Sequence, residues 1–183
     1  HIHTNGSTAT AYPGEDAANG VVKLYGLSAT PVEDVGVVHW RWTGSDRGYS
    51  THDRTRIFDS TCSGPLSSST DAGEPRYNVK NGQTICVEFT YENNGSTRQQ
   101  IVEVGFYLSD NDAITILDTR LGGVTLLDLR RDNVWTRKDV ITLPNNLVVG
   151  NKFHVGAIVD ENNKIAEVAE SNNATYLGIK VIE

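Results

Sequence analysis

One loop of the sequence carries four oxygen-bearing side chains within nine positions: Asp110, Asn111, Asp112 and Asp118. Carboxylate and amide oxygens are the ligands that calcium collects, in sets of about 6–8. The loop lacks the glycine and the ligand spacing of an EF-hand, and turn capping by solvated acids is the simpler interpretation. If the protein has a cofactor, we expect calcium, bound first at this loop.

A second oxygen-rich stretch follows an apolar strand near the C-terminus. Asp160 ends the strand, and a short connection then carries Glu167, Glu170, Asn172 and Asn173. Side chains this close together either cap backbone groups in a tight turn or collect a hard cation. The sequence leaves both interpretations open.

The two cysteines, Cys62 and Cys86, are expected to form a disulfide. An even count in a loop-rich chain of extracellular composition favours a bridge over two reduced thiols. The bridge would close a loop of about 25 residues and constrain the unfolded chain by roughly 3–4 kcal/mol. The chain contains no methionine, so we expect a processed protein, secreted or at the cell surface.

Motifs for enzymatic chemistry are absent from the sequence: there is no G-x-S-x-G, H-E-x-x-H or glycine-rich phosphate loop. An N-terminal His1 would be able to bind copper through its amino group and imidazole, with His3, His39, His52 or His154 as a further ligand. That chemistry belongs to copper-dependent polysaccharide monooxygenases, which are one alternative. The opening of the chain matches no such family, and His39 and His154 are expected at the surface. We therefore predict a protein that is not an enzyme.

Trp40 and Trp42 lie on one face of a strand predicted over residues 35–43. Exposed, they would form a flat platform that stacks on sugar rings, whereas buried they would be core residues. Val38 lies in line with both, which favours the core. A carbohydrate-binding accessory module with a polysaccharide partner is the second alternative function.

The composition of the 183 residues limits the partners. Hydrophobic residues make up 38%, charged residues 21%, and the net charge is −7, as in a folded globular protein. No basic run exceeds Arg130-Arg131, which argues against nucleic acid. No apolar stretch approaches the roughly 20 residues of a membrane helix.

The elements that position these residues are strands, because side chains alternate with period two between turn residues. The predicted inward-facing side chains are Ile85, Val87, Phe89, Tyr91, Val102, Val104, Phe106, Leu108, Phe153, Val155, Ala157 and Val159. Further strands are expected at 124–129, 134–143 and 174–182, with a long loop over 60–75. This spacing predicts an all-β, immunoglobulin-like antiparallel β-sandwich.

Three segments of the C-terminal half resemble a known family. They are N-G-Q-T at 81–84 with the strand and N-N-G turn to residue 95, F-Y-L-S-D-N-D at 106–112 continuing to 121, and residues 159–173. In order and spacing they are similar to the CARDB domain, the "cell adhesion related domain found in bacteria", over about residues 76–183. The most specific part is D-x6-E-x2-E-x-N-N at 160–173. The resemblance implies a seven-stranded sandwich with a non-enzymatic role in adhesion, assembly or presentation of a partner domain.

Domain organisation is predicted as an N-terminal arm over 1–34, which contributes extra strands, and a β-sandwich over 35–183. Residues 1–20 are expected to be a mobile arm ahead of a short alternating strand formed by Val22, Leu24, Tyr25 and Leu27. Such a strand either folds against its own sandwich or adds to the edge of a neighbour's sheet, which builds a filament when the contact is head-to-tail. We therefore expect an extracellular structural or adhesion protein that associates with itself or with other surface components.

Overall fold

The structure, a computed structural model, describes residues 2–5, 10–13, 24, 26, 29–46, 49–131 and 133–183. Its strands in chain order are β1 (Ile2–Asn5), β2 (Thr10–Pro13), β3 (Val35–Val38), β4 (Trp40–Asp46), β5 (Tyr49–Arg54), β6 (Ile57–Phe58), β7 (Ser68–Asp71), β8 (Glu74–Val79), β9 (Thr84–Asn93), β10 (Gln99–Ser109), β11 (Thr119–Leu129), β12 (Val134–Thr142), β13 (Lys152–Val159) and β14 (Ala174–Val181). A 3-10 turn at Glu170–Asn172 precedes β14. No helix in these ranges is long and apolar enough to cross a membrane.

Two sheets form the sandwich. The larger has the order β11-β10-β13-β14-β8-β7, and the smaller has the order β12-β9-β3, with β6 also paired to β9. The pairs β1–β2 and β4–β5 are separate hairpins. The all-β, immunoglobulin-like sandwich is confirmed, and the strands from β8 to β14 supply the seven that the resemblance implies.

One pair in the larger sheet departs from the expected antiparallel arrangement. β8 and β14 run parallel, with Arg76 opposite Gly178 and Val79 opposite Val181. After β8 the chain turns at Gly82, which has a φ of 64°, and continues as β9 in the opposite sheet. Because no hairpin joins β8 to β14, their relative direction is free to be parallel.

The core lies between the two sheets and is built from the alternating side chains. Every predicted inward-facing residue belongs to it or packs against it. Phe89 of β9 and Phe106 of β10 stack across the interface, with ring centroids 6.4 Å apart. The period-two pattern therefore selects the correct face of each central strand.

The strand predicted over 35–43 is interrupted after Val38. β3 and β6 both pair with β9, β3 opposite its end and β6 opposite its beginning. They are two halves of one edge strand, and the hairpin β4–β5 is inserted between them. Thr55 N donates to His39 O at 2.9 Å and closes the base of the hairpin. The single-strand prediction is wrong because the chain leaves the sheet at His39 and rejoins it at Ile57.

Two segments expected to be irregular contain strands. Within 60–75 the structure has β7 and the start of β8, joined by a turn at Ala72 and Gly73, both with positive φ. Most side chains of β7 are exposed, so no apolar alternation marks it. Within 1–20, β1 and β2 pair with each other. The domain boundary at residue 34 stays a prediction.

The structure has a disulfide between Cys62 and Cys86 that ties the loop before β7 to β9. The same loop is fixed by Asp59, whose Oδ1 accepts hydrogen bonds from Thr61 N at 3.0 Å and Ser63 N at 3.3 Å. Lys138 of β12 donates to Cys62 O at 2.8 Å. The loop is thus attached to both long strands of the smaller sheet.

We expect Phe106→Ala to lower the free energy of unfolding by about 3–5 kcal/mol, because it removes a fully buried ring at the sheet interface. Urea denaturation followed by tryptophan fluorescence measures the change. Ile101→Ala on the same strand is the control and should stay within about 0.5 kcal/mol of the wild type, since Ile101 is exposed. Equal losses in the two variants would contradict this account of the core.

Candidate functional site

One side of the sandwich ends in two long strands. β11 is outermost in the larger sheet and β12 in the smaller, with 11 and 9 residues. On the other side, the edges are β7 and β3, with four residues each. No strand in the described part of the chain pairs with the outer side of β11 or β12. Their outward backbone N–H and C=O groups can therefore accept another strand.

Apolar side chains accompany this long edge. Ile101 of β10 and Leu127 of β11 lie opposite each other and are 64% and 65% exposed. Trp135 and Val140 of β12 are also exposed. A groove of about 500 Å³ between the end of β11 and the start of β12 is lined by both Leu127 and Trp135. We call these four residues the open edge.

Arginine side chains surround the open edge. Arg98 and Arg130 both pair with Asp128, and together they outweigh the effect of desolvation and lower the pKa of that carboxyl. The guanidinium of Arg137 lies 5.3 Å from the centroid of the Trp135 ring. Exposed aromatic and arginine side chains are enriched at protein interfaces.

The hairpin β4–β5 presents the two tryptophans outside the sandwich. Trp42 is 56% exposed, and Trp40 is half-buried with the Arg54 guanidinium 4.9 Å from its ring centroid. The expectation that both are core residues is wrong, because Val38 belongs to β3 and the tryptophans belong to the inserted hairpin. Residues two apart share a strand face, so Trp40 and Trp42 retain the spacing of an aromatic platform.

A polar network lies beside this hairpin, on the outer face of the larger sheet. The Nδ1 atom of His39 is 2.7 Å from Thr175 Oγ1, and His154 meets the ring of Tyr176 edge-on at 4.9 Å. Tyr176 donates from its hydroxyl to Glu74 at 3.2 Å. Both histidines are buried, so their expected surface position is wrong.

The cause of this burial is coverage of the sheet by neighbouring segments. Arg54 pairs with Glu74 at 3.4 Å and ties the hairpin to β8. Ile114, in the loop after β10, packs with Tyr107 and Ile158 on the same outer face. The sheet is therefore covered on both faces at this end, which alternation within single strands does not indicate.

Burial sets the protonation of the network. It lowers the pKa of His39 to about 4, and the positive charge of Arg54 adds to this effect while Glu74 opposes it. Burial also lowers the pKa of His154 and raises that of Tyr176 to about 12. All three side chains are thus uncharged near neutral pH.

The side chains predicted to bind calcium are divided between two places. Asp110 and Asp118 line a groove of about 470 Å³ at one end of the sandwich. Asp112 instead lies close enough to His154 and Tyr176 for its charge to raise their pKa values.

Backbone contacts in this loop have the pattern of turn capping. Asn111 Oδ1 accepts from Ala113 N at 2.9 Å, and Asp118 Oδ2 accepts from Thr115 N at 2.7 Å. Across the described residues, no three His, Cys, Asp or Glu side chains are grouped to hold a metal ion. Calcium at this loop stays a prediction.

The second oxygen-rich stretch separates into a turn and a corner. Asp160 caps the turn after β13, accepting from Lys164 N at 3.1 Å and Ile165 N at 2.8 Å. The later residues meet Asp34, just before β3, through Asn172. The sequence analysis does not include Asp34, because nothing in the local pattern connects it to a segment more than 130 positions away.

Several predicted residues fall outside the described ranges. They are His1 of the copper site and Val22, Tyr25 and Leu27 of the assembly strand. Leu24 is described, and it is exposed. The copper site and the assembly strand stay predictions.

Comparison with known proteins gives a structural likeness. No family model matches the chain, and no curated protein matches its sequence. The crystal structure of a CARDB domain from Pyrococcus furiosus, in complex with di-metal ions, is 15% identical and matches with a TM-score of 0.50, covering 85% of this chain and 98% of that one. The fold is that of a CARDB domain. The CARDB-like fold expected from the three segments is confirmed.

Two further solved structures are more distant. A solution structure of the CARDB domain from Pyrococcus furiosus is 16% identical, covers 84% of this chain and 98% of its own, and has a TM-score of 0.44. A Niemann-Pick type C2 protein from the Japanese carpenter ant is 12% identical, covers 78% and 98%, and has a TM-score of 0.36.

We expect the stability of this CARDB-like sandwich to fall as the pH drops from 6.5 towards about 4, in part because of His39. In that window unfolded chains bind a proton at the ordinary pKa of 6.5, whereas folded His39 resists until about 4. The unfolded state then holds more protons, so stability rises with pH. Urea denaturation across this range should show a smaller slope for His39→Gln than for the wild type. A constant difference between the two proteins at all pH values would contradict the assignment.

Proposed function

We propose that this protein is a non-catalytic adhesion or assembly module that associates with itself through the open edge. The observation that supports the proposal is the pair of long outermost strands, β11 and β12, with exposed apolar side chains on the same side of the sandwich. Long edges with apolar side chains are templates for strand addition, and proteins that remain monomeric usually shorten, charge or cover them. Here the short edges lie on the opposite side.

The energies favour an association that depends on concentration. Complete burial of a leucine or isoleucine side chain contributes about 1.5–3 kcal/mol, whereas association costs about 4–15 kcal/mol in lost freedom of motion. The pair Ile101 and Leu127 therefore needs help from edge hydrogen bonds and from Trp135. We infer a weak contact between single modules that gains strength when many copies assemble.

The symmetry of the contact decides what is built. Pairing of β11 with β11 of a second copy would close a two-fold dimer, whereas pairing with a different strand of the next copy would leave an open filament. The strand predicted from Val22 to Leu27 is the donor that we propose for the filament. Its position after a polar N-terminal segment suits a head-to-tail contact.

A location outside the cell or at its surface is part of the same proposal. The disulfide between Cys62 and Cys86 supports it, because such bonds persist in oxidising compartments. The non-catalytic role is supported by the absence of enzyme motifs from the sequence and by the likeness of the fold to a CARDB domain.

The open-edge double variant Ile101→Glu and Leu127→Glu tests the association. We expect the wild type to increase in average mass with concentration in sedimentation velocity experiments. The double variant should raise the dissociation constant at least tenfold, or about 1.4 kcal/mol, because two charges replace apolar contacts. Deletion of residues 1–27 should also weaken the association if the donor is the predicted strand.

The matched control is Ile116→Glu with Val168→Glu, which places the same charges on exposed apolar residues outside the open edge. This control should associate like the wild type. A wild type that stays monomeric over the whole concentration range, or a double variant that associates normally, would overturn the proposal.

A second candidate function is carbohydrate binding on the hairpin β4–β5. The exposure of Trp42 favours it, because a sugar ring stacks on an accessible aromatic face. Trp40 lies on the same face, and Arg54 holds its ring from one side. A polysaccharide would then be the partner of the module.

We expect Trp42→Ala to reduce the affinity for a bound polysaccharide at least tenfold, or about 1.4 kcal/mol, because the exposed stacking surface is lost. Affinity electrophoresis against a panel of soluble polysaccharides measures the retardation. Trp135→Ala removes an exposed tryptophan away from the hairpin and should migrate like the wild type. Equal migration of wild type and Trp42→Ala in every gel would exclude this platform.

A further inference from the structure

Three segments of the chain meet at one corner of the sandwich. The connection after β13 is joined to the segment before β3 by Val168 N, which donates to Glu33 O at 3.0 Å. Val35 N donates to Glu167 Oε2 at 2.8 Å. The turn after β9 joins the same place, since Asn94 N donates to Asp34 O at 2.9 Å. We call the polar side chains here the Asp34 corner: Asp34, Glu167, Glu170, Asn172 and Asn173.

The side-chain partners of the three carboxylates are amide groups. Asn173 Nδ2 donates to Glu167 Oε1 and to Glu170 Oε2, both at 3.1 Å. Asn172 Nδ2 lies 3.3 and 3.4 Å from the two Asp34 oxygens. Among the described residues, no lysine or arginine forms an ion pair with these carboxylates. The corner thus gathers negative charge that no described cationic side chain compensates.

The carboxylates are close enough to affect one another. Burial raises the pKa of Glu167 to about 8, against the hydrogen bonds from Val35 and Asn173, and the charges of Glu170 and Asp34 add to the rise. Burial likewise raises the pKa of Asp34, with Glu170 as a further cause. A positive charge at this corner would reverse both effects.

An independent observation concerns the two asparagines. Asn172 is fully buried and Asn173 is more than nine-tenths buried. The Oδ1 atom of each is buried and accepts no hydrogen bond. A buried acceptor without a donor is costly, and a metal ion is one partner that satisfies a carbonyl oxygen without a proton.

We propose that the Asp34 corner binds a divalent cation of the hard, oxygen-preferring class, with Ca²⁺ as the best match. A half-turn of each side-chain amide exchanges its nitrogen and oxygen at almost no change in shape. The Oδ1 atoms of Asn172 and Asn173 would then point at the carboxylates, and the cation would lie among oxygens only. Because the ligands are carboxylates mixed with amides, the site contains no compact group of three acids.

Calcium suits this set better than magnesium. Calcium accepts 6–8 oxygens in an irregular arrangement, whereas magnesium requires an octahedron and retains several waters. The site joins β3 to the connection before β14, so binding would fasten the N-terminal edge strand of the smaller sheet to the larger one. The inference does not depend on self-association and goes beyond it.

Thermal unfolding of the full chain tests the site. After treatment with EGTA at pH 8, addition of Ca²⁺ is expected to raise the Tm by at least about 3 °C. Asp34→Asn and Glu167→Gln should each weaken Ca²⁺ binding about tenfold or more in calorimetric titrations, because each removes a charged ligand. The matched control, Asp118→Asn, should bind Ca²⁺ like the wild type.

A capping role and a cation-binding role of Glu167 differ in their effect without calcium. In EGTA at pH 8, Glu167→Gln should melt at or above the wild-type temperature, since it removes a buried charge that has no cation. A variant that melts lower in EGTA but keeps the whole Ca²⁺ shift would overturn the proposal. So would a wild type that shows no Ca²⁺ shift, or a shift that Asp118→Asn abolishes while Asp34→Asn does not.

Discussion

The stacking of Phe89 on Phe106 joins the two sheets at the centre of the molecule, and the other features are arranged around it. The two rings come from strands that follow each other directly in the chain, so the loop that must close before they meet is short. Once β9 and β10 face each other, β13 and β14 extend one sheet and β12 extends the other. The variable parts of the molecule lie at the edges, where packing constrains them least.

The central part of the fold is readable from the sequence because its signal is local. β9, β10 and β13 alternate between inward apolar and outward polar residues, and each alternation needs only its own strand to be recognised. The buried set that includes Ile85, Val104 and Val155 follows directly from this pattern. The N-N-G turn and the D-x6-E-x2-E-x-N-N pattern add spacing, which is why the resemblance to a CARDB domain leads to the correct fold.

The candidate sites are less predictable because each depends on segments that are distant in sequence. His39 is buried by contacts with Thr175 and Tyr176 on another strand, and no neighbour in sequence indicates them. Trp42 is exposed because a hairpin interrupts an edge strand, whereas the local pattern continues smoothly across the interruption. Asp34 joins Asn172 only after both sheets have formed. Alternation therefore predicts which face of a strand is inward, but not which segments cover its outer face.

The disulfide also decides which strands carry tension when the chain is pulled at its two ends. The covalent path from the N-terminal side passes from Cys62 directly to Cys86 in β9, and so bypasses everything between them. β7 and β8 lie in that bypassed stretch, and the parallel pairing of β8 with β14 is not peeled from its N-terminal end. The load instead enters β9, a strand paired on both sides and packed against the opposite sheet. In a tethered chain, the bond transfers mechanical stress from the edge of the sandwich to its interior.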